Sequence, residues 1–145
     1  MIALIQRVAE ASVSVSGSVV GQIGRGLLVF VAVHRDDTKA DVSRLAERVL
    51  TYRLFPDGEG RMNRSLLDEN LQLLAVPQFT LAADTKKGTR ASFTGAAEPA
   101  KGREYFDGFV AACDAQLPGV QTGEFAADMK VALVNDGPVT FWLES

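Results

Sequence analysis

Two short segments beside apolar runs hold the residues best suited to chemistry. Pro-Gln-Phe-Thr at 77–80 follows the apolar run 71–76, and Asn-Asp-Gly-Pro-Val-Thr at 135–140 leads into the apolar run 139–143. Gly137 lacks a Cβ, Pro138 lacks an N–H, and a bond before proline has a far smaller trans preference than an ordinary peptide bond. A rigid kink between two strands fixes the direction of its own carbonyls. The second segment could therefore recognise a ligand through its backbone alone.

The side chains offer few conventional catalytic groups. His34 is the only histidine and ends an apolar run, where a structural role is favoured over a general base. Cys113 lies on the apolar face of a predicted helix, so core packing is favoured over reactivity. Thr80 could be a nucleophile only if a base accepted its proton, and threonine is common in strands for its β-propensity. We predict no metal and no cofactor, and a site in which backbone N–H groups stabilise a developing oxyanion.

Length and composition predict one domain, 1–145, with a hydrophobic content of 47%. The first residues are charged too early for a signal peptide, no apolar run approaches ~20 residues, and a single cysteine cannot form an internal disulfide. We therefore expect a cytoplasmic protein with no membrane partner. The net charge of −3 requires local contacts for any nucleic acid. The candidate patch contains Lys86, Lys87 and Arg90, with Lys101 and Arg103 further along, although charge alone favours a solvated loop.

Hydrophobic periodicity predicts the elements that must position these residues. A helix containing residues 42–50 has apolar residues at helical spacing, and Thr38 with Asp41 resembles a capping box before it. A second helix is predicted at about 99–115. Strands are predicted at 2–9, 11–15, 19–23, 27–33, 71–76 continuing as 79–83, 120–125, 130–134 and 139–143. The pattern indicates an α+β fold, a curled antiparallel or mixed sheet or barrel-like core with two helices packed outside.

Several segments of the chain match one family in order. They are residues 1–8 (Met-Ile-Ala-Leu-Ile-Gln-Arg-Val), Gly-x-Gly-Leu-Leu-Val at 24–29, Asp-Thr-Lys-Lys-Gly at 84–88 with Ser-Phe-Thr-Gly-Ala-Ala at 92–97, Phe125 through Asp128-Met129, and Asn-Asp-Gly-Pro-Val-Thr at 135–140. Together they resemble the D-aminoacyl-tRNA deacylase family over the length of the chain. The resemblance implies a hydrolase acting on ester bonds.

In this family the substrate is the ester of a D-amino acid, or glycine, with the 3′-terminal adenosine of tRNA. The resemblance implies a homodimer with its active site at the subunit interface and the tRNA 2′-hydroxyl as a participant in cleavage. A cis Gly137-Pro138 bond, supported by Arg7, would point carbonyls into the neighbouring subunit's pocket and exclude L-amino acids by a steric clash, a form of chiral proofreading. The remaining implied site residues are Gln78, Phe79 and Thr80 at the ester and Phe125, Met129 and Pro77 at the adenosine.

Two positions depart from the family pattern. Pro77 stands where the family usually has serine, so a hydrogen bond from that serine to the adenosine would be lost. A related branch that clears mischarged L-alanine has proline there, but it has alanine where this chain has Phe79. Alternatives therefore stay open: an L-alanyl-tRNA-directed deacylase, for which a trans Gly137-Pro138 would be expected, a noncatalytic tRNA-end-binding protein, or a small domain binding another metabolite. Ala126 replaces a glycine, and a positive φ there would strain it.

Overall fold

A computed structural model describes residues 1–145. The strands are β1 (Ile2–Val15), β2 (Ser18–Ile23), β3 (Gly26–Ala32), β4 (Phe55–Pro56), β5 (Met62–Arg64), β6 (Gln72–Pro77), β7 (Gln121–Thr122) and β8 (Met129–Glu144). The helices are α1 (Lys39–Thr51), α2 (Leu66–Glu69) and α3 (Pro99–Gln116), and a 3₁₀ turn spans Phe79–Ala82. None of the helices has the length and apolar content needed to cross a bilayer.

Strand β1 organises the sheet because both of its edges are paired. Its first half pairs with β3, its second half pairs with β2, and β8 runs antiparallel along its other edge. The β3–β6 and β6–β7 pairs are parallel, so the sheet is mixed, in the order β2-β1-β3-β6-β7. Contacts between β2 and β7 bring the ends of this order together. The sheet is thus nearly closed into a barrel-like shape, which confirms the predicted α+β class.

Strand β3 separates two parts of the core, since side chains alternate between the faces of a strand. Leu27, Val29 and Val31 belong to the larger apolar cluster, which includes the inner faces of α1 and α3. Leu28 points the other way, into the cluster formed by β1, β2 and β6. Both faces of β3 are therefore buried, as its uninterrupted apolar sequence predicts. The carboxyl end of β3, at residues 31–32, lies at the candidate site.

Several predicted boundaries are wrong. Residues 79–83 do not continue the strand: β6 ends at Pro77, and the 3₁₀ turn follows, with Leu81 N–H donating to Gln78 O and Ala83 N–H to Thr80 O, both at 3.2 Å. The predicted strand at 120–125 is only the two residues of β7. Two pairs of predicted strands are each one continuous strand: β8 contains 130–134 and 139–143, and β1 contains 2–9 and 11–15. Both strands continue through the predicted breaks because the β1–β8 pairing shifts its register there. The short helix α2 was not predicted.

The predicted capping box at the start of α1 is present and extends to the last residue. The Asp41 carboxylate accepts hydrogen bonds from Thr38 N–H at 2.8 Å and from the Thr38 hydroxyl at 3.0 Å. The Ser145 hydroxyl donates to the other carboxylate oxygen at 3.0 Å. These bonds, those from Thr38 above all, stabilise the ionised form and lower the pKa of Asp41 to about 2. Asp41 thus joins the helix start to residue 145.

Candidate active site

An apolar cavity of about 460 Å³ opens where β3 and β6 end beside the first residues of β8 and α3. Most of its wall is hydrophobic, a feature typical of small-ligand sites. The lining residues are 31–33, 76–79 and 125–127, together with Ala97, Pro99, Gly102, Phe106, Met129 and Val131. Gln78 and Phe79 of the predicted ester site and Pro77, Phe125 and Met129 of the predicted adenosine site therefore meet at one cavity, whereas Thr80 does not belong to its wall.

The predicted ester-site residues form the 3₁₀ turn at the edge of this cavity. Gln78 N–H donates to Val31 O at 2.8 Å, which holds the turn against the end of β3. Gln78 and Phe79 line the cavity, and the Phe79 ring is 60% exposed. That ring packs on Phe93, with 5.2 Å between the centroids. An exposed aromatic pair is therefore held at the opening, where it can contact a ligand.

Thr80 has no base beside it. Its hydroxyl accepts a hydrogen bond from the Gln78 side-chain amide at 2.5 Å, and no carboxylate or imidazole bonds to it. The backbone N–H of His34 donates to Asp37 at 2.6 Å, and His34 forms a β-bridge with Ala96. The first N–H groups of a helical turn have no carbonyl partner within it. Those of Phe79 and Thr80 are thus candidates to bind a ligand carbonyl.

The predicted adenosine-site residues, Pro77, Phe125 and Met129, line the same cavity. Phe125 is half-buried, and Met129 lies over Gly123, where a Cβ would come within 2.8 Å of the Met129 sulfur. The same Cβ would be 3.6 Å from Pro77 Cδ, so these residues are packed together. Ala126, next to Phe125, has a φ of +65°. The backbone there does take the left-handed conformation in which alanine is strained.

Gly137 and Pro138 lie at an irregularity in β8, and the peptide bond between them is cis. Arg7 donates from Nε to Asp136 O at 3.0 Å and from an Nη to Leu54 O at 2.8 Å, and so ties this segment to β1 and to the chain before β4. The Asn135 side chain accepts from Val139 N–H at 3.0 Å. Gly137 and Pro138 themselves are exposed. The side-chain network therefore holds a rigid backbone segment at the surface.

These two parts of the predicted site do not meet within one chain. Gly137, Pro138 and Arg7 are absent from the cavity wall. On β8, Val131 of the wall precedes Pro138 by seven residues, which is roughly 20 Å of extended strand. Within one chain, the Gly137-Pro138 segment therefore does not contribute to the cavity wall.

The basic patch is a surface loop. Backbone hydrogen bonds of 2.8 and 3.0 Å between Asp84 and Ser92 close the loop. Lys86, Lys87 and Arg90 are all exposed on it. The loop leads directly into Phe93, whose ring packs at an interplanar angle of 50° on Phe79 of the cavity wall. A solvated loop and an RNA contact are both compatible with this geometry.

Two exposed residues near the cavity make contacts that the sequence did not indicate. Phe93, in the family-matching segment 92–97, contacts Phe79. The guanidinium of Arg103, a basic residue beyond the predicted patch, lies 4.9 Å from the centroid of Phe125. Cys113 is fully buried, as predicted, and burial raises the pKa of its thiol to about 12. No group of three or more histidine, cysteine, aspartate or glutamate side chains is arranged to hold a metal ion.

The sequence matches the family model described as D-Tyr-tRNA(Tyr) deacylase over residues 4–144. It is 62% identical over 145 residues to the D-aminoacyl-tRNA deacylase of Thioalkalivibrio sulfidiphilus, covering 99% of this chain and 97% of that one. It is 57% identical over 144 residues to the D-aminoacyl-tRNA deacylase of Vibrio parahaemolyticus, covering 99% of each.

Two solved structures share the fold. The c-Myc DNA Unwinding Element Binding Protein superposes with a TM-score of 0.95 at 33% identity, over 100% of this chain and 99% of that one. A probable eukaryotic D-amino acid tRNA deacylase shares the fold, with a TM-score of 0.83 at 18% identity over 99% of this chain and 98% of that one. The chain therefore belongs to the D-aminoacyl-tRNA deacylase family. It is a hydrolase that acts on ester bonds.

Proposed function

We propose that this chain hydrolyses the ester between a D-amino acid, or glycine, and the 3′-terminal adenosine of tRNA, as a cytoplasmic homodimer. The observation that carries the proposal is the one cavity wall that residues 77–79, at the start of the turn, share with Phe125 and Met129. In a member of this family, the two ends of an aminoacyl-adenosine would each find a suited wall there. The adenine packs on Phe125 and Met129, and the ester lies at the turn.

The turn acts on the ester through its backbone. When water attacks the carbonyl carbon, the carbonyl oxygen becomes an oxyanion, and the N–H groups of Phe79 and Thr80 donate to it. Collapse of this intermediate breaks the bond to the ribose oxygen and releases the free amino acid. As the family resemblance implies, the 2′-hydroxyl next to that bond relays the proton. This role is consistent with the bond between Thr80 and Gln78 and with a cavity wall that contains no imidazole or carboxylate.

Chirality is read by the Gly137-Pro138 segment of the partner subunit. Strand β8 pairs with β1 alone, so its outer edge is unpaired, and Val134 and Trp142 on it are 51% and 50% exposed. A long unpaired edge with exposed apolar side chains favours association with a second copy. In such a dimer the rigid segment enters the partner's cavity. Its carbonyls leave no space for an L side chain, so selection works by rejection and tolerates many D-amino acids.

The first experiment measures deacylation of D-tyrosyl-tRNA, L-tyrosyl-tRNA and L-alanyl-tRNA by the purified protein with a chelator present. Cleavage of the D-ester alone is expected. Cleavage of L-alanyl-tRNA would instead assign the chain to the alanyl-directed branch, and binding without cleavage of any ester would indicate a noncatalytic tRNA-end-binding protein.

Mixed dimers test whether the segment acts across subunits. A Phe79→Ala subunit has a defective pocket and an intact Gly137-Pro138 segment, whereas a Gly137→Ala subunit has the opposite defect. Adding an excess of Phe79→Ala to Gly137→Ala should suppress cleavage of the L-ester, because the intact segment then enters the working pocket. Cleavage that stays unchanged on mixing would place both elements in the same subunit and overturn this part of the proposal.

Pro77 favours a second candidate activity, on L-alanyl-tRNA. Pro77 is half-buried at the end of β6 and offers neither a hydroxyl nor an N–H to the adenosine. Its replacement by serine, Pro77→Ser, should lower KM for D-aminoacyl-tRNA if that hydrogen bond matters. If the variant loses activity on L-alanyl-tRNA and gains none on D-esters, the alanyl-directed assignment is correct.

The basic loop is the third element of the proposal. Lys86, Lys87 and Arg90 contact the phosphates of the acceptor stem. Replacing all three by alanine should raise KM for charged tRNA and reduce its salt dependence, because fewer counterions are released on binding. Hydrolysis of a short aminoacyl-adenosine should not change. If the salt dependence of KM for charged tRNA is unchanged, the loop is a solvated segment that does not contact phosphates.

A further inference from the structure

Arg103 is a basic residue at the cavity for which the proposed function gives no role. It lies in the first turns of α3, next to Gly102, which lines the cavity. Its guanidinium carbon is 4.9 Å from the centroid of the Phe125 ring. A Cβ on Gly102 would be 3.5 Å from the edge of the same ring. The helix backbone and Arg103 together therefore hold Phe125 in place.

The charge of Arg103 is not neutralised by a neighbouring acid. Arg103 takes part in none of the ion pairs of the chain. Glu104, the adjacent acid, pairs with Lys39 at 3.6 Å. Glu98 and Asp107 are the other acids nearby in sequence, Glu124 is next to Phe125, and all three are exposed. A planar guanidinium resting on an aromatic ring keeps its N–H fork free, and that fork suits a phosphate group.

The position of Arg103 relative to Phe125 sets which phosphate it can reach. If adenine packs on Phe125, the first phosphate of the nucleic acid lies one ribose away from the base. Arg103 is held against the same ring, at the exposed edge of the cavity. Lys101 is less suited, because its ammonium donates to Arg35 O at 2.6 Å. Arg103 is thus the cation placed to contact a group directly attached to the bound nucleoside.

We propose that Arg103 binds the 5′-phosphate of the terminal adenosine while it supports Phe125, so that the enzyme recognises a nucleotide rather than a nucleoside. This inference rests on the proposed function for the identity of the nucleoside. It adds a specificity residue that distinguishes the end of a nucleic acid from a free aminoacyl-adenosine.

The test compares two small esters that differ only in one phosphate, 2′(3′)-O-D-tyrosyl-adenosine and its 5′-phosphorylated form. The wild-type protein should prefer the phosphorylated ester by about tenfold in kcat/KM, the effect expected for one charged hydrogen-bonded contact. Arg103→Ala should abolish that preference, and Arg103→Lys should keep part of it. Arg61→Ala is the matched control, because Arg61 is 76% exposed, pairs only with exposed Glu59, and lies outside the cavity wall.

The comparison separates two roles of Arg103. Loss of support for Phe125 would slow both esters equally, whereas loss of a phosphate contact changes their ratio. A ratio in Arg103→Ala equal to that of the wild type overturns the proposal. Titration of 5′-AMP and adenosine, followed by calorimetry, gives the same ratio without any hydrolysis. If the protein cleaves neither of these esters nor D-tyrosyl-tRNA, the proposed function fails, yet a preference for 5′-AMP that Arg103→Ala removes would still support the phosphate contact.

Discussion

Replacing Gly137 by alanine should destabilise the protein by an amount that the structure allows us to divide into two parts. Gly137 has a φ of +141°, a region that residues with a Cβ rarely adopt. A Cβ there would also lie 2.6 Å from Val139 Cγ2 and 2.8 Å from the Val139 nitrogen. The second contact is with backbone, so rotation of a side chain cannot relieve it. The alanine must therefore carry both backbone strain and a steric clash.

Gly17 provides the control for the strain alone. Its φ is +82°, and nothing lies within 4 Å of a Cβ built on it. Gly17→Ala should cost about 1 kcal/mol of unfolding free energy, as expected for alanine at positive φ. The clash at Gly137 adds a further ~1–3 kcal/mol, the range for overpacking a position that cannot relax. Gly137→Ala should thus be less stable than Gly17→Ala by about 2 kcal/mol.

Urea unfolding followed by fluorescence and circular dichroism measures this difference. Below the unfolding transition, the same Gly137→Ala protein should cleave L-tyrosyl-tRNA faster than the wild type does, because the displaced segment no longer excludes an L side chain. Equal stabilities of the two alanine variants would refute the clash, since Val139 would then have moved freely. If Gly137→Ala is destabilised by the expected amount but its selectivity for D- over L-esters does not change, Gly137-Pro138 does not select chirality.

Three further predictions concern other parts of the chain. Ala126→Gly should raise the unfolding free energy by about 1 kcal/mol, because the positive φ at this position no longer strains a side chain; a decrease in the urea midpoint would contradict this. Asp41→Asn should lower the unfolding free energy by about 1 kcal/mol at neutral pH. Hydrogen bonds from Thr38 and Ser145 lower the pKa of Asp41 to about 2 in the folded protein. The stabilisation is therefore complete above the pKa that Asp41 has in the unfolded chain, and it disappears as the pH falls toward 2. A cost that persists in acid would show that the carboxylate charge is not its source. Phe79→Ala should change the unfolding free energy by no more than about 1 kcal/mol, because the ring is mostly exposed, but it should lower kcat/KM by about tenfold or more. Steady-state kinetics at equal folded fractions would test this. Unchanged kinetics would show that Phe79 does not belong to the ester site.

Much of the fold could be predicted from local sequence. The apolar run of β3, the helical spacing of α1 and the capping box of Thr38 and Asp41 each carry their signal within a few residues, and each is present in the structure. The turn after Pro77 was predicted wrongly as strand. Its apolar residues satisfy a strand pattern, but Pro77 has no N–H, and the chain bends at Gln78 into a 3₁₀ turn held by Val31 O. That hydrogen bond joins residues far apart in the sequence, so no local pattern contains it.

The candidate site also has features that the sequence indicates and features that depend on contacts between distant segments. The residue types of the two segments at 77–80 and 135–140, and the resemblance they carry, were readable in the sequence because identity and spacing are properties of the chain itself. Only the tertiary structure decided that Phe125, Met129 and the turn share one cavity, that Arg103 rests on Phe125, and that Gly137-Pro138 lies away from that cavity. The physical reason is that these relations depend on how β1 curves and pairs on both edges. Such pairing joins residues through packing and hydrogen bonds between distant segments, and those contacts exist only once the sheet has closed.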